Sequence, residues 1–353
     1  MNWFGINQSA VLGIDISTAA IKLLELSRHG NNYSVESYAV VPLPQDAVID
    51  KNITNFELVG QAIKIAVKQS GTRIKKACVA VSGASVMTKI INMPALLSEL
   101  EIEEQINLEA DQYIPYALEE VNLDFEIQGP TKNNSDMLDV LLVATRRENV
   151  EDRQAALQFA GLKTLIVDIE AYAMENAFNL IVDQLPPDIQ DKTVAIIDIG
   201  AATTSINILN NRKSIYTREQ TFGGKELTEE IQHRYNLSSE QAALAKQAGS
   251  LPPSYESEVL GPFKNALLQQ ISRAMQFFIS SNVSQGVDAI VLAGGCASIS
   301  DLDKVVENHL SIKTFIANPF ADMTLSSRIN QQALMKVAPS MMVACGLALR
   351  SFD

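Results

Sequence analysis

Asp15 and Asp198 each close an apolar run, and each is followed by a turn of small residues and a second apolar run. The first segment reads Val11-Leu-Gly-Ile-Asp15-Ile-Ser17-Thr18-Ala-Ala-Ile-Lys22-Leu-Leu-Glu-Leu26. The second reads Val194-Ala-Ile-Ile-Asp198-Ile-Gly200-Ala201-Ala-Thr-Thr-Ser-Ile-Asn-Ile-Leu209. Aligned on the aspartates, six of sixteen positions are identical, so the segments read as one hairpin written twice. Carboxylates at strand ends can hold the hydration shell of Mg²⁺, which takes only one or two protein oxygens. Turns of small residues can present backbone N–H groups to phosphate oxygens. Asp15 and Asp198 therefore stand as metal candidates, acting through water. Ser17, Thr18, Gly200, Ala201 and Thr203 stand as phosphate candidates, with Lys22 as the cation seven residues beyond Asp15.

The elements that must position these groups follow from the pattern. Residues 11–26 and 33–41 alternate as neighbouring antiparallel strands. Phe56, Val59, Ile63 and Val67 fall at helical spacing before Gly71, and 77–81 is a short strand. An inserted α/β unit follows. Its strand at 85–93 ends at Pro94, and Ser98 with Glu101 forms a capping box that opens a helix broken at Pro115. Strands at 123–127 and 138–143 flank the polar turn 129–135, and a helix spans 148–160. A strand at 165–169 and a helix at 171–182 lead to Pro186-Pro187, the boundary between the halves. The second half holds strands at 193–209, a helix after Phe222-Gly223-Gly224, a long helix through Phe263 and Phe278, and a strand at 289–293. That strand runs into Gly294-Gly295, and a helix after Pro339 closes the chain.

Composition narrows the function classes. The 353 residues carry a formal charge of −13, which disfavours nucleic acid or an anionic lipid surface as partner. The three cysteines and three histidines are scattered without metal-ligand spacing, and read as ordinary residues of a reduced compartment. Residues 1–6 lack the basic and apolar regions of a signal peptide. The apolar stretch at 341–349 is about half of the ~20 residues that a membrane span needs. A cytoplasmic protein that reaches the membrane only through partners is expected.

The chain resembles the actin-like ATPase superfamily, in which two phosphate hairpins, an adenosine motif and two connecting helices occur in this order. Asp168-Ile-Glu170-Ala-Tyr-Ala173 resembles the first connection, and 339–349 the second. Val291-Leu-Ala-Gly294-Gly295-Cys296-Ala297 resembles the adenosine motif, and Phe222-Gly223-Gly224-Lys225-Glu226 the segment along the other side of the adenosine. The resemblance implies an actin-like α/β fold of two related domains around a nucleotide cleft, with ATP and Mg²⁺ as cofactors. The first domain is expected at 1–83, 163–192 and 336–353, an inserted subdomain at 84–162, and the second domain at 193–335 with 225–285 as its outer part. Glu170 is the candidate to orient an attacking water. Ser17 stands where the family's first turn usually has Gly, and would make that turn uncomfortable if it needed φ > 0. Ala171 replaces the Pro found in many active members, so at most weak ATPase activity is expected.

The insertion is of the kind found in the FtsA and PilM branch, and Glu109-Ala-Asp-Gln-Tyr-Ile-Pro-Tyr116 resembles PilM proteins in particular. That likeness implies an ATP-binding adaptor of the type IV pilus inner-membrane platform. It implies docking of the N-terminal cytoplasmic peptide of PilN near the 98–116 helix and the strands at 121–143. Support for pilus biogenesis, twitching motility and DNA uptake is implied too, with motor ATPases as further contacts and a homo-oligomer compatible. An FtsA-like division filament is the alternative; the chain ends at 351–353 without the membrane-binding tail of FtsA proteins.

Overall fold

The computed structural model of the chain describes residues 10–132, 134–281 and 286–352. Residues 1–6, read above for targeting signals, lie outside these, as do Asn133 of the polar turn and the last residue. The chain opens with a meander of β1 (Leu12–Ile16), β2 (Ala20–His29) and β3 (Asn32–Pro42), turned between β2 and β3 by Gly30 at φ 63°. A two-residue hairpin joins β4 (Val48–Ile49) to β5 (Asn52–Ile53). Helix α1 (Phe56–Ser70) is capped by the Asn55 side chain and stopped by Gly71 at φ 68°. Strand β6 (Lys76–Val81) then lies parallel to β1.

The inserted unit comprises β7 (Val86–Pro94), α2 (Glu99–Tyr113), β8 (Val121–Thr131) and β9 (Asn134–Arg146), with sheet order β7-β9-β8. Both halves of the Ser98/Glu101 capping box form. Ile102, Ile106 and Ala110 of α2 bury against Ile91, Met93, Val140 and Leu142 in a core of the unit's own. Helix α3 (Arg147–Phe159) behaves differently. Its Ala156 and Leu157 bury with Val59 and Ile63 of α1, in the first domain's core. The expected 84–162 unit therefore divides between an independently cored sheet and a helix owned by the parent domain.

Strand β10 (Lys163–Ile169) pairs parallel to β6. Helix α4 (Glu170–Phe178) is shorter than its sequence pattern suggests. Bonds from Leu180 N to the Ala177 carbonyl and from Ile181 N to the Phe178 carbonyl tighten its end, and a separate 3-10 turn follows at Val182–Gln184. The second half supplies β11 (Thr193–Ile199), β12 (Thr204–Asn210), β13 (Lys213–Gln220), α5 (Gly224–Tyr235), α6 (Ser239–Ala248) and α7 (Gly261–Ser281). It continues with β14 (Ala289–Ala293), α8 (Leu302–Leu310) and β15 (Lys313–Ile316). Its sheet has the order β13-β12-β11-β14-β15.

The chain then returns to the first domain. Strand β16 (Thr324–Leu325) pairs with β3, so the first sheet runs β10-β6-β1-β2-β3-β16. Helices α9 (Gln331–Val337) and α10 (Met342–Leu349) follow, separated by the 3-10 turn Ala338–Met341. The run Gln331–Leu349 is long and apolar enough to cross a membrane by composition, yet 61% of its apolar window is buried inside the fold. Helices α4 and α10 sit between the two sheets. They share one core with Leu24 and Leu26 of the first sheet and Val194 and Ile196 of the second.

Candidate functional site

Both hairpins place their aspartate by the same register. Asp15 on β1 stands opposite Lys22 on β2, and Asp198 on β11 stands opposite Ser205 on β12. The residue opposite the aspartate differs: lysine in the first hairpin, serine in the second. The Lys22 ammonium donates to Asp15 Oδ2 at 2.7 Å, with both side chains nearly buried. Burial alone would lower the Lys22 pKa, but Asp15 and then Asp198 reverse that and hold it above the ordinary lysine value. Asp198 is pushed up by burial, opposed by Lys22 and Lys51. The two hairpins thus face each other closely enough for the lysine of one to act on the carboxylate of the other.

Ser17 answers the concern raised by its residue type. It is not among the residues with positive φ. Its hydroxyl donates to the Ala20 carbonyl at 2.8 Å and accepts from Ala20 N at 3.1 Å, closing the turn without left-handed backbone. Thr18 follows in that turn, half-buried. In the second turn Gly200 N donates to the Thr203 carbonyl.

The segments expected along the adenosine are stitched to that second turn. Gly224 N donates to the Gly200 carbonyl at 3.0 Å, and Lys225 N to the Ala201 carbonyl at 2.7 Å. A Cβ on Gly223 would come within 2.6 Å of both of those carbonyl oxygens. Gly294, at φ 85°, is the position where glycine is required outright: a Cβ there would meet Asp198 Oδ1 at 2.3 Å. Gly295 and Cys296 begin the next 3-10 turn, and Cys296 Sγ lies 3.6 Å from the Gly200 carbonyl. Two of the expected adenosine residues have side chains committed elsewhere. Lys225 is exposed beside Glu229, and Glu226 caps α5 by accepting from Gly223 N.

Glu170 opens α4 and is not the exposed strand-end carboxylate its position suggests. Its Oε2 accepts from Lys51 Nζ at 2.5 Å, and its side chain is 12% exposed. Burial pushes the Glu170 carboxyl up, and Lys51 works against that. A cavity beneath Glu170 and Asp198 is lined further by Ser205, Asn207, Thr217 and Glu219.

Sequence reasoning missed four residues here. Lys51 and Glu219 complete the charge cluster, since both act on Asp198. Arg153 of α3 is buried and donates to the carbonyls of Ala80, Asn149 and Lys51. Lys246 of α6 donates to the Gly224 carbonyl at 3.2 Å and to Thr228 Oγ1 at 2.5 Å, next to the adenosine-side turn. Lys51 left no trace in the sequence, since Asp50-Lys51 lacks the glycine that marks such a hairpin turn, whereas Arg153 falls at helical spacing with the buried Ala156 and Leu157. Among the described residues no three metal-ligating side chains converge.

Two hairpin-led sheets packed on a shared pair of helices, with paired aspartates at the cleft, define an actin-like ATPase fold. The family model of the type IV pilus assembly protein PilM matches residues 13–352. The chain is 26% identical to a protein in the solved PilM-PilN type IV pilus biogenesis complex, with a TM-score of 0.80 over 98% of this chain and 99% of that one. The ethanolamine utilization protein EutJ from Carboxydothermus hydrogenoformans shares the fold at 16% identity, with a TM-score of 0.55 over 96% of this chain and 89% of that one. The cell division protein FtsA of Bacillus subtilis (strain 168) is 21% identical, over 89% of this chain and 79% of its own length. The chain belongs to the PilM family of type IV pilus assembly proteins.

Proposed function

We propose that this protein is an ATP-binding adaptor of a type IV pilus assembly platform, closed around nucleotide by its twin hairpins and docked on the N-terminal cytoplasmic peptide of PilN. The observation that carries the nucleotide reading is the meeting of Asp15, Lys22 and Asp198 across the cleft, with Gly294 packed on Asp198. Mg²⁺ would sit between Asp15 and Asp198 through water. Thr18 and Ala201 would take phosphate oxygens, in turns closed by the N–H groups of Ser17 and Gly200, and Gly223, Gly224, Gly295, Cys296 and Lys246 would line the adenosine side. The PilM-PilN complex supports PilN as the partner. The separately cored inserted unit, near α2, β8 and β9, offers the docking surface. A cytoplasmic location and a role in pilus-driven motility follow from that partnership.

Calorimetry of Asp198→Ala tests the clamp: ATP binding should vanish, and unchanged affinity would overturn the site. Titration of the PilN peptide with and without Mg-ATP tests docking and its coupling together. Micromolar or tighter binding supports the adaptor, and no detectable binding refutes it. Equal affinity in both states would mean that nucleotide does not switch the partner. The likeness to FtsA favours a second reading, a filament former. Nucleotide-dependent filaments on lipid without a partner would select it.

A further inference from the structure

Lys51 reaches the cleft by an unusual route. Asp50 and Lys51 form the two-residue turn between β4 and β5, and both have positive φ, 48° and 66°. This is the backbone of a type I′ turn, whose second position strongly favours glycine. A lysine there holds a left-handed conformation, as Arg212 does in the matching two-residue turn between β12 and β13. What sets Lys51 apart is where its side chain goes. The turn is fixed from behind. Arg153, 2% exposed, donates from Nη2 to the Lys51 carbonyl at 3.1 Å and from Nε to the Ala80 carbonyl at 2.6 Å. From that anchored turn the Lys51 side chain, 15% exposed, reaches Glu170 across 119 residues of sequence. Burial pulls the ammonium's pKa down, but Glu170, then Glu219 and Asp198, more than reverse this, so it stays charged through the neutral range.

We propose that Lys51 is a positioning residue that keeps the Glu170 carboxylate in an ion pair and so withholds it from water in the cleft, with Arg153 holding the turn in place. The inference rests on the nucleotide reading above. In hydrolysis of Mg-ATP the water oxygen bonds to the γ-phosphorus, the bridging P–O bond breaks toward ADP, and the water's proton passes through a nearby acceptor to phosphate or solvent. Glu170 is the carboxylate that the nucleotide reading assigns to that water, beside Asp198 and Glu219 on the same cavity. Its Oε2 is already taken by the shortest ion pair recorded among the described residues. The anchored ion pair thus keeps the clamp closed around unhydrolysed nucleotide.

The test is single-turnover hydrolysis of Mg-ATP, with ATP affinity measured in parallel on the full chain. At saturating Mg-ATP, Lys51→Met should raise the hydrolysis rate at least ~10-fold, an effect of about 1.4 kcal/mol on the barrier. Lys51→Arg, which keeps the pair, should remain at the wild-type rate. Adding Glu170→Gln to Lys51→Met should return the rate to the wild-type level, a reversal that a merely structural role for Lys51 would not produce. Lys51→Gly places in the turn the residue its backbone favours, and repeats the comparison should the Met variant fold poorly. An unchanged or slower rate in both Lys51→Met and Lys51→Gly, with ATP still bound, overturns the proposal alone. Failure of the wild-type chain to bind ATP overturns the nucleotide reading, and is seen in the titration before any rate is measured.

Discussion

Gly346 of α10 lies so close to Ala173 of α4 that a Cβ on the glycine would come within 1.7 Å of the alanine's carbonyl oxygen. The two helices cross in contact between the sheets, so their separation sets how the domains sit on each other. Gly13 repeats the condition on the strand side, where a Cβ would meet the Ala344 carbonyl at 2.2 Å. Gly346→Ala should therefore destabilise the fold by about 3 kcal/mol or more, at the upper end of overpacking costs. Urea melts would read it. A loss under about 0.5 kcal/mol would show that the crossing has slack.

Lys22 gives a stability prediction with a defined pH window. Lys22→Met leaves the Asp15 carboxylate nearly buried beside no cation, which should cost about 3 kcal/mol at neutral pH. Asp15 and Asp198 hold the folded pKa of Lys22 above its reference value of 10.5. A raised folded pKa means that the contribution is complete below 10.5 and fades as pH climbs through the folded value. The gap between wild type and Lys22→Met should stay constant from pH 7 to about pH 10 and narrow above it. Denaturant melts across that range check the sign.

Cys296 offers a chemical probe of the adenosine side. Cys78 and Cys345 are buried, and Cys296 is half-buried at the Gly200 turn. Burial pushes its thiol from 9.0 to about 11, partly offset by Lys246. Only the thiolate reacts, so alkylation by iodoacetamide at pH 8 should run about a hundredfold slower than at an unperturbed thiol, rising about tenfold per pH unit toward 11. By linkage, this group's contribution to stability is present below its ordinary value and is lost as pH approaches 11. Mg-ATP should slow the reaction further, as measured by mass spectrometry.

Arg153→Ala removes donors from the carbonyls of Ala80 and Lys51, which belong to β6 and to the β4–β5 turn. Stranding buried acceptors and emptying a guanidinium-sized space should cost about 2–4 kcal/mol. Amide exchange should quicken at the β4–β5 turn more than in the inserted sheet.

What was legible in the sequence was whatever a local pattern specifies. The twin hairpins, the Ser98/Glu101 cap and the Gly71 stop each declare themselves within a few residues, and each forms. Sequence reasoning assigned Lys22 to the phosphates, and its pairing with Asp15 emerged only with the hairpin register. Contacts made at long range were not. Nothing near Glu170 announces Lys51, and while helical spacing sets Arg153 on the face of Ala156, Leu157 and Ala160, it does not tell that its guanidinium binds three carbonyls. The concern over Ser17 arose for a related reason. A turn can be closed by a hydroxyl bonded back to Ala20 as well as by glycine's freedom, and residue type alone does not choose between them.

The inserted sheet is, in plan, one overgrown loop. Strands β6 and β10 are parallel neighbours joined through α3, so they form a β-α-β crossover, and the unit fills the link between β6 and the helix. That link leaves from the end of β6 level with Asp15, the same rim on which the cleft opens. Its buried residues belong to a cluster with no member in common with the cluster beneath it. The two cores are therefore separable: a substitution among Ile102, Ile106 and Val140 falls on a cluster that holds no residue of the core beneath Asp15.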